Sequence, residues 1–135
     1  MKRRSLLGAA VALLMAGSAA AHHSFAMYDQ SRIVTLKGAV KTFQWTNPHV
    51  FIWVEGAPTT GGAPALWTIE LTSPGNLTRL GWSRRSLKPG DAVEVQILPL
   101  RDGKRGGAFK TAKILATGQV LTADWVQQSR TGQNP

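Results

Sequence analysis

The chain has 135 residues, with 16 Lys and Arg against 7 Asp and Glu for a formal net charge of +9, together with 3 His and no Cys. That length holds one domain and excludes a multidomain enzyme. The missing cysteine excludes disulfides, thiolate zinc sites, iron–sulfur clusters and thiol nucleophiles, so any metal must be held by nitrogen and oxygen.

Residues 1–21 read as a secretory signal. Lys2-Arg3-Arg4 is the basic start, Leu6 to Gly17 is an apolar stretch, and Ser18-Ala19-Ala20-Ala21 is a small-residue cleavage region. A stretch of about 12 apolar residues, many of them Ala or Gly, is too short for the ~20 that span a bilayer. No other segment is longer and comparably apolar, so no stable membrane span is expected after cleavage. Arg3-Arg4-Ser5-Leu6-Leu7 also resembles the twin-arginine pattern that routes folded proteins for export. The expected location is the periplasm or the medium beyond it. Cleavage after Ala21 leaves 13 basic and 7 acidic groups, a net of +6. Spread from Arg32 to Arg130, that charge reads as a solvated surface and not as a nucleic-acid footprint.

The mature chain opens on His22-His23, with Phe25, Met27 and Tyr28 close behind as apolar groups that can pin the end onto a core. Ile33 to Phe43 is β-branched, and its apolar positions alternate unevenly around Gly38, which predicts a long strand bent by a bulge. Val50 to Val54, bounded by Asn47-Pro48 and Glu55-Gly56, predicts a second strand. Alternation puts His49, Phe51 and Trp53 on one of its faces and Val50, Ile52 and Val54 on the other. Gly56 to Pro64 reads as a hairpin loop, followed by a third strand over Ala65 to Leu71. Ser73-Pro74 starts a helix, with the hydroxyl as cap and Pro in the first turn, and Gly81 stops it. The turn Leu87-Lys88-Pro89-Gly90-Asp91 launches a fourth strand, Ala92 to Leu98. Arg101 to Gly107 reads as a flexible hairpin into a fifth strand, Phe109 to Ala116. Residues 127–135 have few apolar groups and are expected to be disordered.

This order of elements is all-β with one short helical insertion. It is the connectivity of a five-stranded OB-like Greek-key barrel, β1-β2-β3-α-β4-β5, over residues 22–126.

Several motifs in sequence carry a resemblance. His22-His23-Ser24-Phe25, Val34-Thr35-Leu36-Lys37-Gly38, Trp45-Thr46-Asn47-Pro48-His49, Ser73-Pro74 and Gly81-Trp82-Ser83-Arg84-Arg85-Ser86-Leu87-Lys88-Pro89-Gly90-Asp91 resemble an uncharacterised family of small exported bacterial proteins, a domain of unknown function of the DUF6152 type. The resemblance runs from His22 to about Leu121. It implies a signal peptide, one β-rich domain and a location outside the cytoplasm. It implies no catalytic or binding residues.

The three histidines carry the leading functional expectation, which is capture of a transition metal, copper first. Imidazoles and a freshly cut amine form a nitrogen-rich set suited to Cu(II), Ni(II) or Zn(II). A cut after Ala21 lets the amine and ring of His22 chelate together, with His49 completing an arrangement that resembles a histidine brace. A cut after Ala20 instead places His23 third from the amine, so that the amine, two deprotonated amides and that imidazole enclose Cu(II) or Ni(II) in a square plane. The bland alternatives are a frayed terminus for His22-His23 and a hydrogen-bonded turn residue for His49.

Trp45, Trp53, Trp67, Trp82 and Trp125 are many for so short a chain, and most are expected to fill the barrel or its rim. Trp53 and Trp45, with Phe51 and the Arg84-Arg85 pair, form the candidate surface for a metal-free alternative, an envelope module that recognises a protein, peptide or glycan. No acid–base pair, nucleophile elbow or phosphate loop is recognisable, so binding is expected in place of catalysis. Copper-dependent redox chemistry would further need an open coordination position and a substrate groove.

Overall fold

A computed structural model describes residues 25–123. A 3-10 turn over Phe25–Met27 leads into six strands and one helix: β1 (Val34–Gln44), β2 (Phe51–Pro58), β3 (Ala65–Glu70), α1 (Pro74–Arg79), β4 (Ala92–Pro99), β5 (Gly106–Ile114) and β6 (Val120–Thr122). Strand β1 pairs antiparallel with β2 on one side and β4 on the other, β2 pairs with β3, and β4 with β5. A parallel pairing of β3 with β5, from Thr68 opposite Gly106 to Glu70 opposite Ala108, closes the barrel. The circuit β1-β2-β3-β5-β4 with a helix between β3 and β4 is the OB-like arrangement expected from the sequence.

Alternation fills the interior. Val50, Ile52 and Val54 are fully buried with Leu36, Ile69, Val93, Val95 and Phe109, whereas Phe51, Trp53 and Glu55 face outward. Trp82 is buried as well and meets Phe109 edge-on at 5.3 Å between ring centroids. The helix starts as expected. The Ser73 hydroxyl accepts from the Asn76 amide at 3.3 Å, Pro74 is the first helical residue, and Leu77 plugs the core.

Three local expectations are corrected. The bulge in β1 lies not at Gly38 but between Val40 and Thr42, where the register against β2 slips. Gly38 stays in register, directly opposite Gly56, because its role is close approach. A Cβ on Gly38 would run into the Glu55 carbonyl, and one on Gly56 into the Lys37 carbonyl. The slip breaks strict alternation, so consecutive Lys41 and Thr42 are both exposed.

Strand β2 continues to Pro58, which shortens the predicted loop. Gly106 and Gly107, expected in a flexible hairpin, open β5 at the barrel closure, where a Cβ on Gly107 would meet the Leu98 carbonyl. The sixth strand was not expected. It pairs Thr111 with Thr122 and Lys113 with Val120, and its end is tied to the core by Trp82, whose Nε1 donates to the Thr122 carbonyl at 3.0 Å. The predicted tail at 127–135 lies outside the described residues.

Candidate functional site

The segment after β1 passes a cis Asn47–Pro48 peptide and delivers His49 just ahead of β2. Glu70 is the last residue of β3 and stands opposite Phe51. The ladder continues past it, with the Leu71 amide donating to the Val50 carbonyl at 2.8 Å and the Val50 amide to the Thr72 carbonyl at 3.1 Å. Because His49 and Phe51 share a strand face, Glu70 and His49 are diagonal neighbours on the outer surface.

A third group arrives from the opposite direction. The N-terminal segment lies across the β4–β5 turn: the Asp29 amide donates to the Pro99 carbonyl at 2.8 Å, the Arg101 amide to the Met27 carbonyl at 2.9 Å, and Arg101 Nε to the Ala26 carbonyl at 3.0 Å. Tyr28 bridges to Leu100 and is 2% exposed, in a small apolar cluster with Leu98 and Ala108 onto which Phe25 and Leu100 pack. Met27 remains outside at 47% exposure, so Phe25 and Tyr28 do the pinning. Since Ala108 pairs with Glu70 across the β3–β5 seam, the Tyr28 hydroxyl comes within hydrogen-bonding reach of that carboxylate.

The outcome is a relay centred on Glu70. The Tyr28 hydroxyl donates to Oε2, and Oε1 is bonded to His49 Nδ1. A carboxylate has only lone pairs to offer, so His49 Nδ1 carries the shared proton, and in the neutral ring the lone pair then resides on Nε2, the nitrogen a metal would use. The side chains of His49 and Glu70 are 34% and 17% exposed, which puts the relay at the rim, reachable from solvent.

Burial, then the hydrogen bond to Glu70, then that residue's negative charge all raise the Tyr28 pKa above its ordinary value of 10.0. A folded-state pKa above the unfolded one favours the native state fully below pH ~10 and loses that contribution as the pH rises beyond it. Tyr28 is the only tyrosine in the chain, so tyrosinate absorbance reports this group alone. The native protein is expected to show no tyrosinate at a pH where the urea-unfolded protein is half ionised. Stability measured across the same alkaline range should fall less steeply in Tyr28→Phe than in the parent.

The other candidate residues are distributed as follows. His22 and His23 lie outside the described residues, as does Trp125. Among the described residues no three His, Asp or Glu side chains converge as a metal cluster. Phe51 and Trp53 are paired on the outer face at 5.7 Å between centroids. Trp45 packs partly against the core and meets Phe43 edge-on at 5.7 Å. Trp67 also packs against the core. Arg84 and Arg85 are exposed in the turns after α1. Reading the sequence missed Tyr28 and Glu70 as partners of His49, although the outward position of Glu70 in the alternation of β3 was available.

The profile of a family of unknown function, DUF6152, matches residues 10–126, and the chain belongs to that family. No curated protein and no solved structure matches it.

Proposed function

We propose that this DUF6152 protein is exported and captures a transition metal ion as cargo, copper(II) first, through its mature N-terminal His22-His23 pair together with His49. The observation that carries the reading is the Glu70 carboxylate fixed between Tyr28 and His49 Nδ1. Metal-binding imidazoles are characteristically oriented by such a carboxylate on the other ring nitrogen, which sets the tautomer and raises ligand basicity.

Covalent geometry supports the meeting of the two histidine groups. A single residue, Ser24, separates His23 from Phe25, so two chain steps span at most about 7 Å between them. Phe25 packs onto the cluster containing Ala108, the strand partner of Glu70. Phe25, the first described residue, therefore packs beside the seam that carries Glu70.

The His49-dependent chelate requires cleavage after Ala21. Cleavage after Ala20 favours the amine, amide and His23 plane, which leaves His49 unused. Titration calorimetry of the mature protein with Cu(II), with mass spectrometry of its N-terminus, tests both. Binding is expected to be lost in His22→Ala, His23→Ala, to weaken on acidification as ligand nitrogens take up protons, and to fall at least tenfold in His49→Ala if the chain starts at His22. Absence of Cu(II) binding, or undiminished binding in the double variant, overturns the reading.

A further inference from the structure

The slip in β1 that exposes Lys41 and Thr42 together has a second effect, because these two residues form the shared wall of two adjoining clefts. One cleft, of about 580 Å³, lies over the outer face of β1–β3 and is walled by Gln44, Trp53, Glu55 and Leu66. The other, of about 440 Å³, runs from the same wall to Arg84, Arg85 and Lys88 over Phe43 and Leu87. Each is within the ~300–1,000 Å³ of small-ligand sites, and they adjoin at Lys41 and Thr42, so that a ligand long enough to cross these two residues would meet two chemically different ends of one groove.

The first end has an aromatic platform with a hydroxyl-matching rim. Trp53 is half-buried and buttressed by Phe51, Leu66 extends the apolar floor at 53% exposure, and Thr42, Gln44 and Glu55 supply donors and acceptors of both kinds. Lys41 is paired with Glu55 at 2.6 Å, so this end carries no net cation.

The second end is cationic. Lys88 is held by Asp91 at 2.6 Å, but among the described residues neither Arg84 nor Arg85 takes part in an ion pair, and both are exposed. Two adjacent guanidinium groups without carboxylate partners are suited to a planar or tetrahedral anion.

We propose that this groove binds an acidic oligosaccharide, with one sugar ring stacked on Trp53 and the anionic substituent of a neighbouring ring held by Arg84 and Arg85. Single-stranded nucleic acid shares the aromatic and cationic ingredients but fits less well. Its phosphates recur at every residue, and the carboxylate of Glu55 stands where one of them would pass the platform. A sugar chain places neutral hydroxyls at that end and its charge at the other.

The test is calorimetric titration of the full mature protein, without added metal, with four probes of similar length: an oligouronate, a sulfated oligosaccharide, a neutral oligosaccharide and oligothymidylate. Either acidic sugar is expected to bind at least tenfold more tightly than the neutral one, the better of the two identifying the anion, with affinity falling as salt is raised. Arg84→Gln, Arg85→Gln is expected to reduce that binding at least tenfold and to abolish most of its salt dependence. Both positions are exposed in turns, so this variant keeps the fold whether or not Trp53→Ala does. Trp53→Ala, where folded by circular dichroism, is expected to lose binding to a similar extent. Failure of both acidic sugars to bind, equal binding of the neutral one, tighter binding of oligothymidylate, or undiminished binding in the double arginine variant overturns the proposal.

Discussion

Gly38→Ala is expected to destabilise the protein by about 3 kcal/mol, at the upper end of what inserting one methyl group into packed structure costs. In an ordinary strand the same change would help slightly, since alanine loses less backbone entropy on folding. Here the sign is reversed because the obstacle is backbone and not a side chain. The new Cβ would overlap the Glu55 carbonyl and the Gly56 Cα, and neither can rotate away. The strands would have to separate, which breaks pairing along β1 and β2 on both sides of the contact. Gly56→Ala meets the Lys37 carbonyl in the same crossing and should cost a similar amount. Because the two variants force the same separation, the double variant is expected to lose less than the sum of the singles. Gly75→Ala provides the contrast: it is a helix position where the Cβ would find only the Ser73 hydroxyl at 4.0 Å, and a gain of about 0.5–1 kcal/mol is expected. Urea denaturation midpoints with an unchanged slope measure all four. A Gly38→Ala protein as stable as the parent would show that the strands can part there without loss.

The barrel was legible because each strand carries its own period and each boundary its own punctuation. Val50, Ile52 and Val54 announce an inner face, and Ser73-Pro74 announces a helix start, without reference to anything distant in the chain. The features that were misread depend on partners. Gly38 interrupts the apolar alternation, and a glycine in a strand can signal either a bulge or a close backbone approach. Only the facing Gly56 decides between them. The same holds for Gly106 and Gly107, whose composition reads as a flexible turn and whose position at the β3–β5 seam demands the absence of a side chain. Three-residue β6 is too short for any periodicity and exists through its pairing to β5.

The candidate site divides along the same line. His49 was identifiable by residue type, and the outward faces of Phe51 and Trp53 by alternation. Its partners were not, because Tyr28 and Glu70 are 42 residues apart and His49 and Glu70 are 21 apart. They meet only after the N-terminal segment has crossed the β4–β5 turn and the parallel seam has placed Ala108 beside Glu70. The groove has a similar origin. Nothing in the local composition of Lys41 or Thr42 indicates that both will face solvent, since that follows from a slip defined against β2.

Glu70→Gln is expected to lower copper affinity by about 10–100-fold while leaving the fold in place, a range typical of losing the group that orients a ligating imidazole. The amide has nearly the shape of the carboxylate but offers one acceptor and one donor end. If its oxygen faced His49, its NH2 would face the buried Tyr28 hydroxyl, whose own proton would then lack an acceptor at a position 2% exposed. An unsatisfied buried donor costs about 1–3 kcal/mol. The opposite orientation satisfies both neighbours, with Tyr28 donating to the amide oxygen and the NH2 donating to His49 Nδ1. A neutral imidazole that accepts at Nδ1 carries its proton on Nε2, so the nitrogen facing the metal becomes a donor and loses its lone pair. Stability should therefore change little, whereas Cu(II) binding by calorimetry should weaken as it does in His49→Ala. The two substitutions combined should cost no more than either alone, because they disable the same ligand. Tyr28→Phe separates orientation from acceptance: it removes a donor to Oε2 but leaves His49 Nδ1–H donating to Oε1, and is expected to affect stability more than metal binding. A Glu70→Gln protein that binds Cu(II) as tightly as the parent, with the mature chain beginning at His22, would take His49 out of the metal site and leave the N-terminal pair to act alone.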